Sequence, residues 1–175
     1  MKYLNLSRSL YYRFAYLLIV AAFVAACATQ LAPSYDASIF DGLTASNKDV
    51  QTLFASLTPA VSSKTYSARK PLYNHIIGQL DALEIQARSR PIPSPITLER
   101  ANTVLSSNGL GPLLNDPKFT DFPSARSIHD ASETIKNMRL ADQRDGLRGA
   151  EISAFENQTA VYLAQAITYE AFLKR

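Results

Sequence analysis

Apolar and small residues recur at alternating steps of three and four through the last quarter of the chain. The residues on this stripe are Ile152, Phe155, Thr159, Tyr162, Ala166, Tyr169 and Leu173. The spacing lines one face of an α-helix, whereas the side chains of a strand alternate between two faces. The pattern predicts a helix with one buried face in an antiparallel bundle. A coiled-coil dimer is the alternative, although three heptads are the lower limit for that interpretation.

Two earlier segments carry the same helical spacing. The first stripe consists of Ile39, Leu43, Ser46, Val50, Leu53 and Leu57. We expect its helix to begin at an N-cap serine, Ser34, and to end before Pro59, because the residue before a proline is disfavoured in a helix. The second stripe consists of Tyr66, Tyr73, Ile76, Leu80, Leu83 and Ala87. Pro71 predicts that the second helix either begins near Lys70 or kinks at the proline, and we expect its end near Arg88.

A third segment of helical spacing begins near Ser124 or Ser127. Its apolar stripe consists of Ile128, Ala131, Ile135 and Met138. Ser127 and Asp130 have the spacing of a capping box, with aspartate in place of glutamate. Gly146 and Gly149 predict a break before the last helix, and one long bent helix is the alternative.

Residues 89–123 differ from the helical segments because they hold six of the nine prolines. We expect an extended start, a short helix over 97–106 and a turn at Asn108-Gly109. Two interpretations are open, namely a surface crossover packed through its leucines and phenylalanines, or a functional segment. No alternating strand pattern competes with the helices. The sequence therefore predicts an all-α helical bundle of about four main helices, with this proline-rich crossover between helices two and three.

The first 26 residues have the features of a secretory signal peptide. Lys2, Arg8 and Arg13 give a positive start without an acidic residue, and an apolar core of 13 residues follows over 14–26. A helix that crosses ~30 Å of hydrocarbon needs roughly 20 apolar residues, so this core is too short to span a bilayer. A positive start, a short core and small residues at its end are typical of signal peptides. A buried core helix or a short membrane anchor is the alternative.

The end of the apolar core carries a more specific motif. Val24-Ala25-Ala26-Cys27 resembles the lipobox of bacterial lipoproteins, with valine where leucine is most common. The resemblance covers residues 1–27 only. It implies cleavage between Ala26 and Cys27, attachment of diacylglycerol to the Cys27 thiol, and acylation of the new amino group. Cys27 is then a membrane anchor, and the mature chain consists of a tether over 27–34 and a single helical domain over 35–175.

The same resemblance predicts where the anchored protein resides. In that family, an aspartate directly after the cysteine often marks retention in the inner membrane, whereas Ala28 and Thr29 follow Cys27 here. We therefore expect an outer-membrane protein that faces the periplasm of a Gram-negative host. The tether from Ala28 to Ser34 reaches about 25 Å at ~3.5 Å per residue, which keeps the domain close to the membrane.

The charge balance of the mature chain argues against a nucleic-acid partner. Removal of residues 1–26 leaves 149 of 175 residues, with 15 basic and 15 acidic side chains, because three of the 18 basic residues belong to the signal peptide. A nucleic-acid surface needs a basic stripe, and the sequence shows none. His75 and His129 fit no metal-binding motif, so we expect neither a metal nor another cofactor.

Polar residues near the end of the third stripe form the first candidate site. The cluster consists of Asp142, Arg144, Asp145, Arg148 and Glu151. Asp142 and Asp145 continue the stripe, so together with Arg148 they are candidates for a polar groove. A solvated helix end with local ion pairs is the alternative.

Four tyrosines form the second candidate site. Tyr66 and Tyr73 lie seven residues apart on one stripe, and Tyr162 and Tyr169 lie seven apart on another. Because tyrosine buries a large ring and keeps a hydroxyl that needs a partner, we expect a layered seam between helices two and four. A pocket for a ligand, or a groove for a partner, is the alternative.

Four charged residues outside these clusters are expected to act locally. Glu170 and Lys174 have the favoured i, i+4 order for an ion pair on a helix surface. Arg88 and Arg90 follow the second stripe, where arginine can bond the last carbonyls of a helix.

The sequence contains no catalytic signature that combines a nucleophile, a base and an oxyanion site. It therefore predicts a non-catalytic lipoprotein whose domain binds another envelope component, with the proline-rich segment as a docking loop. A small-molecule or lipid-binding bundle with the tyrosine seam as its pocket is the second hypothesis. An enzyme that uses Asp142 and Asp145 is the third.

Overall fold

The computed structural model of the protein describes residues 33–112 and 122–174. Within these ranges lie five α-helices: α1 (Ala37–Leu57), α2 (Tyr66–Arg88), α3 (Pro95–Ser107), α4 (Pro123–Asp145) and α5 (Gly149–Leu173). The prediction of an all-α bundle is therefore confirmed. The predicted signal peptide, Cys27 and most of the tether lie outside the described residues. None of the five helices is long and apolar enough to cross a membrane.

Helices α1, α2, α4 and α5 form a ring in which each helix packs against two antiparallel neighbours. Side-chain pairs between α2 and α4 show the direction, because residue numbers rise in one helix as they fall in the other. Arg69 pairs with Asp142, Asp81 with Ser132, and Glu84 with His129. Since α1 and α5 close the ring, α2 and α5 face each other across its diagonal. The shorter α3 packs against α5.

The two ends of the bundle hold different parts of the chain. The tether end, as we name it, contains the start of α1, the end of α2, the start of α4 and the end of α5. At this end Pro33 is buried, and the ring of Tyr35 lies between Phe40, with ring centroids 6.2 Å apart, and the Lys174 ammonium at 5.7 Å. The linker end, at the opposite side, contains the α1–α2 and α4–α5 links. The chain therefore enters the bundle beside the C-terminus of α5.

The predicted apolar stripes form the core of the bundle. All six stripe residues of α1 and all four of α4 are buried. In α5 the stripe is buried at five positions and half-buried at Phe155 and Tyr162, and Leu163 and Glu170 complete the buried face. Burial of a leucine or isoleucine side chain contributes about 1.5–3 kcal/mol, so these faces, rather than helix propensity, stabilise the bundle.

The start of α1 differs from the sequence prediction, whereas the starts of α2 and α4 fall within the predicted alternatives. The N-cap of α1 is Asp36 rather than Ser34, and its carboxylate accepts a bond from the Ser38 amide at 2.9 Å. Helix α2 begins at Tyr66 and contains Pro71, which removes one hydrogen bond in the second turn only. Helix α4 begins at Pro123, because proline fits the first helical position, where its missing N–H costs nothing.

The predicted crossover contains helix α3 near the place expected for a short helix. Ser94 caps it by accepting a bond from the Thr97 amide at 3.3 Å, and Ala101 and Leu105 are buried. The predicted turn at Asn108-Gly109 follows, and Gly109 has a φ of 71°. Beyond it, the Gln165 amide of α5 donates to the Gly111 carbonyl at 3.3 Å. The crossover is thus packed onto the bundle over the part that the structure describes.

The two links at the linker end are bonded to each other. The amide of Val61 donates to the carbonyl of Leu147, and the amide of Leu147 donates to the carbonyl of Val61, both at 2.9 Å. Gly146 makes this bridge possible because its φ is 77° and a Cβ there would lie 2.8 Å from the Ser63 nitrogen. The predicted break between the third and last helices is therefore present, and the chain does not continue as one bent helix.

Candidate functional site

A buried ion pair lies at the linker end, between α2 and α4. Arg69 donates from Nη2 to Asp142 Oδ1 at 2.6 Å and from Nε to Asp142 Oδ2 at 2.9 Å. The same guanidinium donates to the Thr65 hydroxyl at 2.8 Å and to the Ser62 carbonyl at 3.2 Å. Arg69 therefore joins α4 to α2 and to the α1–α2 link through one planar group, a geometry that lysine does not match.

A fully buried tyrosine and a half-buried tyrosine lie near this pair. Tyr73 is fully buried one turn after Arg69, and its ring centroid lies 6.3 Å from that of Tyr66. Burial raises the pKa of the Tyr73 phenol far above its ordinary range, and the negative charge of Asp142 raises it further. The bonds to Asp142 in turn raise the pKa of the Arg69 guanidinium. The Arg69 guanidinium is therefore charged and the Tyr73 phenol neutral at neutral pH.

A second buried ion pair lies at the tether end and joins three elements. Arg90, just after α2, donates from Nη1 to Glu170 Oε2 of α5 at 3.0 Å, and Nη2 donates to Glu170 Oε1. The hydroxyl of Ser124, in the first turn of α4, donates to the same Oε1 at 2.5 Å and accepts from Arg90 at 3.2 Å. Glu170 is fully buried, so these bonds replace the water that its carboxylate oxygens would otherwise bind.

Aromatic rings also cover the second pair. The Arg90 guanidinium lies 4.1 Å from the ring centroid of Phe122, and Phe122 packs edge-on against Tyr169 at 5.6 Å. Burial raises the pKa of Tyr169 well above its ordinary range, and the nearby Glu170 carboxylate raises it further. The tether-end pair thus has the same composition as the linker-end pair: one arginine, one carboxylate and a buried tyrosine.

The structure separates the three residues of the predicted polar groove. Asp142 is buried in its pair with Arg69, whereas Asp145 is exposed and accepts a bond from Arg144 at 2.6 Å. Arg148 is exposed at the N-terminus of α5, and its amide donates to the Glu151 carboxylate at 2.9 Å. The three residues do not share one site, and the exposed ones form local pairs at helix ends.

The four tyrosines of the predicted seam also occupy different places. Tyr66 and Tyr73 lie together at the linker end, whereas Tyr169 lies at the tether end beside Phe122. Tyr162 is half-buried near the middle of α5 and accepts a bond from Gln158 at 3.3 Å. Because α2 and α5 are diagonal in the ring, the buried tyrosines pack beside two separate ion pairs rather than in one layer.

Sequence reasoning missed most partners of the two ion pairs. Glu170 bonds Arg90 in the core instead of forming a surface pair with Lys174, and Arg90 reaches α4 and α5 instead of the end of α2. One signal for Glu170 was present, since it lies seven residues after the buried Leu163 and so on the same helix face. The pairing of Arg69 with Asp142 spans 73 positions, and no local pattern encodes it.

The chemistry of both pairs is that of structural clamps. Each carboxylate has both oxygens bonded to arginine, which leaves it poorly placed to accept a substrate proton. Among the described residues, no group of three histidine, cysteine, aspartate or glutamate side chains is arranged to hold a metal ion. The Tyr73 and Tyr169 hydroxyls and Arg90 Nε are buried without a hydrogen-bond partner in residues 33–112 and 122–174.

Comparisons of the chain with protein-family models, with curated proteins and with solved structures gave no match.

Proposed function

We propose that this protein is a lipid-anchored lipoprotein of the bacterial outer membrane, facing the periplasm, whose helical domain binds another envelope component without catalysis. The observation that carries the proposal is the motif Val24-Ala25-Ala26-Cys27 at the end of a 13-residue apolar core. Each buried CH₂ of an acyl chain contributes about 0.8 kcal/mol, so two or three chains on Cys27 hold a protein to a bilayer where one chain does not.

The arrangement of the domain supports a binding role over catalysis. Its two most buried charged clusters join helices to one another, and each carboxylate in them is bonded to an arginine. Such pairs hold the relative positions of the helices, which suits a domain that presents a rigid surface. The crossover packs against α5 through α3, which gives the proposed docking loop a fixed place on the bundle.

Lipid attachment is tested in cells with the full chain. Cys27→Ala should abolish incorporation of labelled fatty acid and leave the precursor uncleaved. Ala28→Asp is the matched variant, because it should keep the lipid but shift the protein to the inner membrane. A Cys27→Ala protein of mature size that stays membrane-bound would overturn the proposal.

Partner binding is tested by crosslinking in cells followed by mass spectrometry of the captured complexes. The variant Ala160→Cys supplies an exposed thiol to which a crosslinker can be attached. A specific heteromeric band obtained with this variant supports the proposal. A protein that stays monomeric under several crosslinkers would contradict the binding role while leaving the lipid anchor untouched.

A small-molecule or lipid-binding bundle is the second candidate. The observation in its favour is the pair of buried hydroxyls of Tyr73 and Tyr169 that have no hydrogen-bond partner among the described residues. Native mass spectrometry of the protein from its membrane distinguishes the candidates. A stoichiometric co-purifying molecule supports the second candidate, and a mass that equals the acylated chain alone supports the first.

A further inference from the structure

Three large apolar side chains are exposed close together in sequence at the tether end. Ile85, near the end of α2, is 70% exposed, Ile92 in the crossover is 58% exposed, and Ile96 in the first turn of α3 is 59% exposed. The other large exposed apolar residues of the described ranges lie elsewhere, with Leu140 toward the linker end of α4 and Val161 in the middle of α5. Three of the five large apolar side chains that are exposed in the described ranges therefore lie at the tether end.

The segment that carries two of these isoleucines is stiff. Prolines occupy positions 91, 93 and 95, and each fixes its own φ and restricts the residue before it to an extended conformation. Pro93 is buried, and the Ser94 backbone is extended before it caps α3. Arg90 fastens the beginning of the segment to α4 and α5. Ile92 and Ile96 are thus exposed on a segment whose backbone has little conformational freedom.

The chain reaches its lipid-bearing cysteine from this same end. Pro33 is buried there, and the Asp36 carboxylate accepts a bond from Gln86 of α2 at 3.1 Å, next to Ile85 in sequence. From Pro33 back to Cys27 the chain spans at most about 20 Å at ~3.5 Å per residue. An acylated Cys27 therefore keeps the tether end within about 20 Å of the bilayer surface.

Three carboxylates at the tether end are paired with arginines. Glu84 pairs with Arg88 at 2.9 Å, Asp130 with Arg126 at 3.1 Å, and Glu170 with Arg90. Carboxylates paired in this way repel anionic phospholipids less than free ones do, and arginine near a bilayer is attracted to them. These pairings therefore reduce the repulsion between this end and a phospholipid surface.

We propose that Ile85, Ile92 and Ile96 enter the interfacial layer of the bilayer that holds the Cys27 lipid, so that the domain sits on the membrane by its tether end. The inference rests on the proposed function, because the lipid supplies the proximity. The occupant of this apolar surface is then the headgroup and upper acyl region of a phospholipid bilayer.

The test places a spin label on the full acylated chain. Cys27 is the only cysteine and is blocked by its lipid, so one added cysteine gives a unique label. Ser89→Cys reports between the isoleucines, and Ala60→Cys reports at the linker end; both positions are exposed. The protein is reconstituted into phosphatidylethanolamine–phosphatidylglycerol vesicles, and the accessibility of each label to oxygen and to a water-soluble nickel chelate is measured. The mass of the purified protein verifies the lipid separately.

The expected result is a severalfold higher oxygen-to-nickel accessibility ratio at position 89 than at position 60. Changing Ile85, Ile92 and Ile96 together to serine should lower the ratio at 89 to that at 60, whereas Leu140→Ser should leave it unchanged. Equal ratios at 89 and 60 in an acylated, vesicle-bound protein would overturn the proposed contact between the isoleucines and the bilayer, but not the lipid anchor. A mature chain without lipid on Cys27 would instead overturn both the anchor and this contact.

Discussion

Arg69 and Asp142 form a bidentate ion pair in which the arginine side chain is 10% exposed and the carboxylate is fully buried. The two residues lie on different helices, and the guanidinium also bonds the α1–α2 link. Removal of one partner leaves the other charge buried and unpaired, which costs far more than the pair itself contributes.

Asp142→Ala should therefore destabilise the domain by about 3–5 kcal/mol, measured by urea unfolding. Asp145→Ala is the matched control, because Asp145 is exposed and its loss should change stability by less than about 0.5 kcal/mol. The double variant Arg69→Met with Asp142→Leu should recover most of the loss, since it removes both charges. A double variant as unstable as Asp142→Ala would show that the pair itself is stabilising.

Gly146 and Gly78 give opposite predictions for the same substitution. Gly146→Ala should destabilise the domain by about 2–5 kcal/mol, because its φ is positive and the added Cβ would meet backbone atoms of the α1–α2 link. Gly78→Ala should stabilise by roughly 0.5–1 kcal/mol, because a Cβ at this position of α2 would meet no atom within 4 Å other than the backbone of its own helix turns. Thermal unfolding of both variants checks the pair, and equal shifts in the same direction would refute the argument.

Asp36→Ala should lower stability by about 1 kcal/mol at neutral pH, because it removes the N-cap of α1. Ser34→Ala, at the position that the sequence suggested, should have little effect. The bond from Ser38 lowers the pKa of Asp36. A carboxylate whose pKa is lowered on folding stabilises the folded state at pH values above its unfolded pKa, and this stability is lost as the pH falls. The difference in stability between Asp36→Ala and wild type should therefore shrink below about pH 4. A larger deficit for Ser34→Ala than for Asp36→Ala would contradict the observed cap.

Stability should fall as the pH rises above about 10, because burial raises the pKa of both Tyr73 and Tyr169. In that range the unfolded chain releases the two phenolic protons while the folded chain keeps them, so protons favour the folded state. Urea unfolding between pH 9 and 11.5 measures the slope. The variant Tyr73→Phe with Tyr169→Phe should show a shallower slope than wild type, and an unchanged slope would show that other groups cause the loss.

Side-chain periodicity was enough to predict the bundle and its core, because each helix buries one face that repeats within a few turns. The α1 stripe from Ile39 to Leu57 illustrates this, since all of its residues are buried. Helix starts were less predictable because several residues compete for a cap. Asp36, and not Ser34, caps α1. Its carboxylate also accepts a bond from Gln86 of α2, a contact that depends on how α1 and α2 pack.

The polar interior could not be predicted from local patterns. Asp142 was recognised because it continues the α4 stripe, but its partner Arg69 and the pair of Arg90 with Glu170 depend on the antiparallel arrangement of the ring. Glu170 and Asp145 have similar sequence surroundings, with an arginine or lysine close by. Glu170 is buried because its face of α5 packs against Arg90 and Ser124. Asp145 is exposed and is the last residue of α4.

The two arginine–carboxylate pairs together fix how the helices of the bundle are aligned along its axis. Arg69 lies in the first turn of α2 and Arg90 lies just after its last turn, so their carboxylate partners are at opposite ends of the bundle. A slip of α4 or α5 by one helical turn, about 5.4 Å, would separate a buried charge from its partner while leaving the apolar stripes in contact. Hydrophobic packing alone tolerates several such alignments, and the ion pairs penalise all but one of them. The chain therefore uses its most buried charges to choose a single alignment of helices whose apolar faces would accept others.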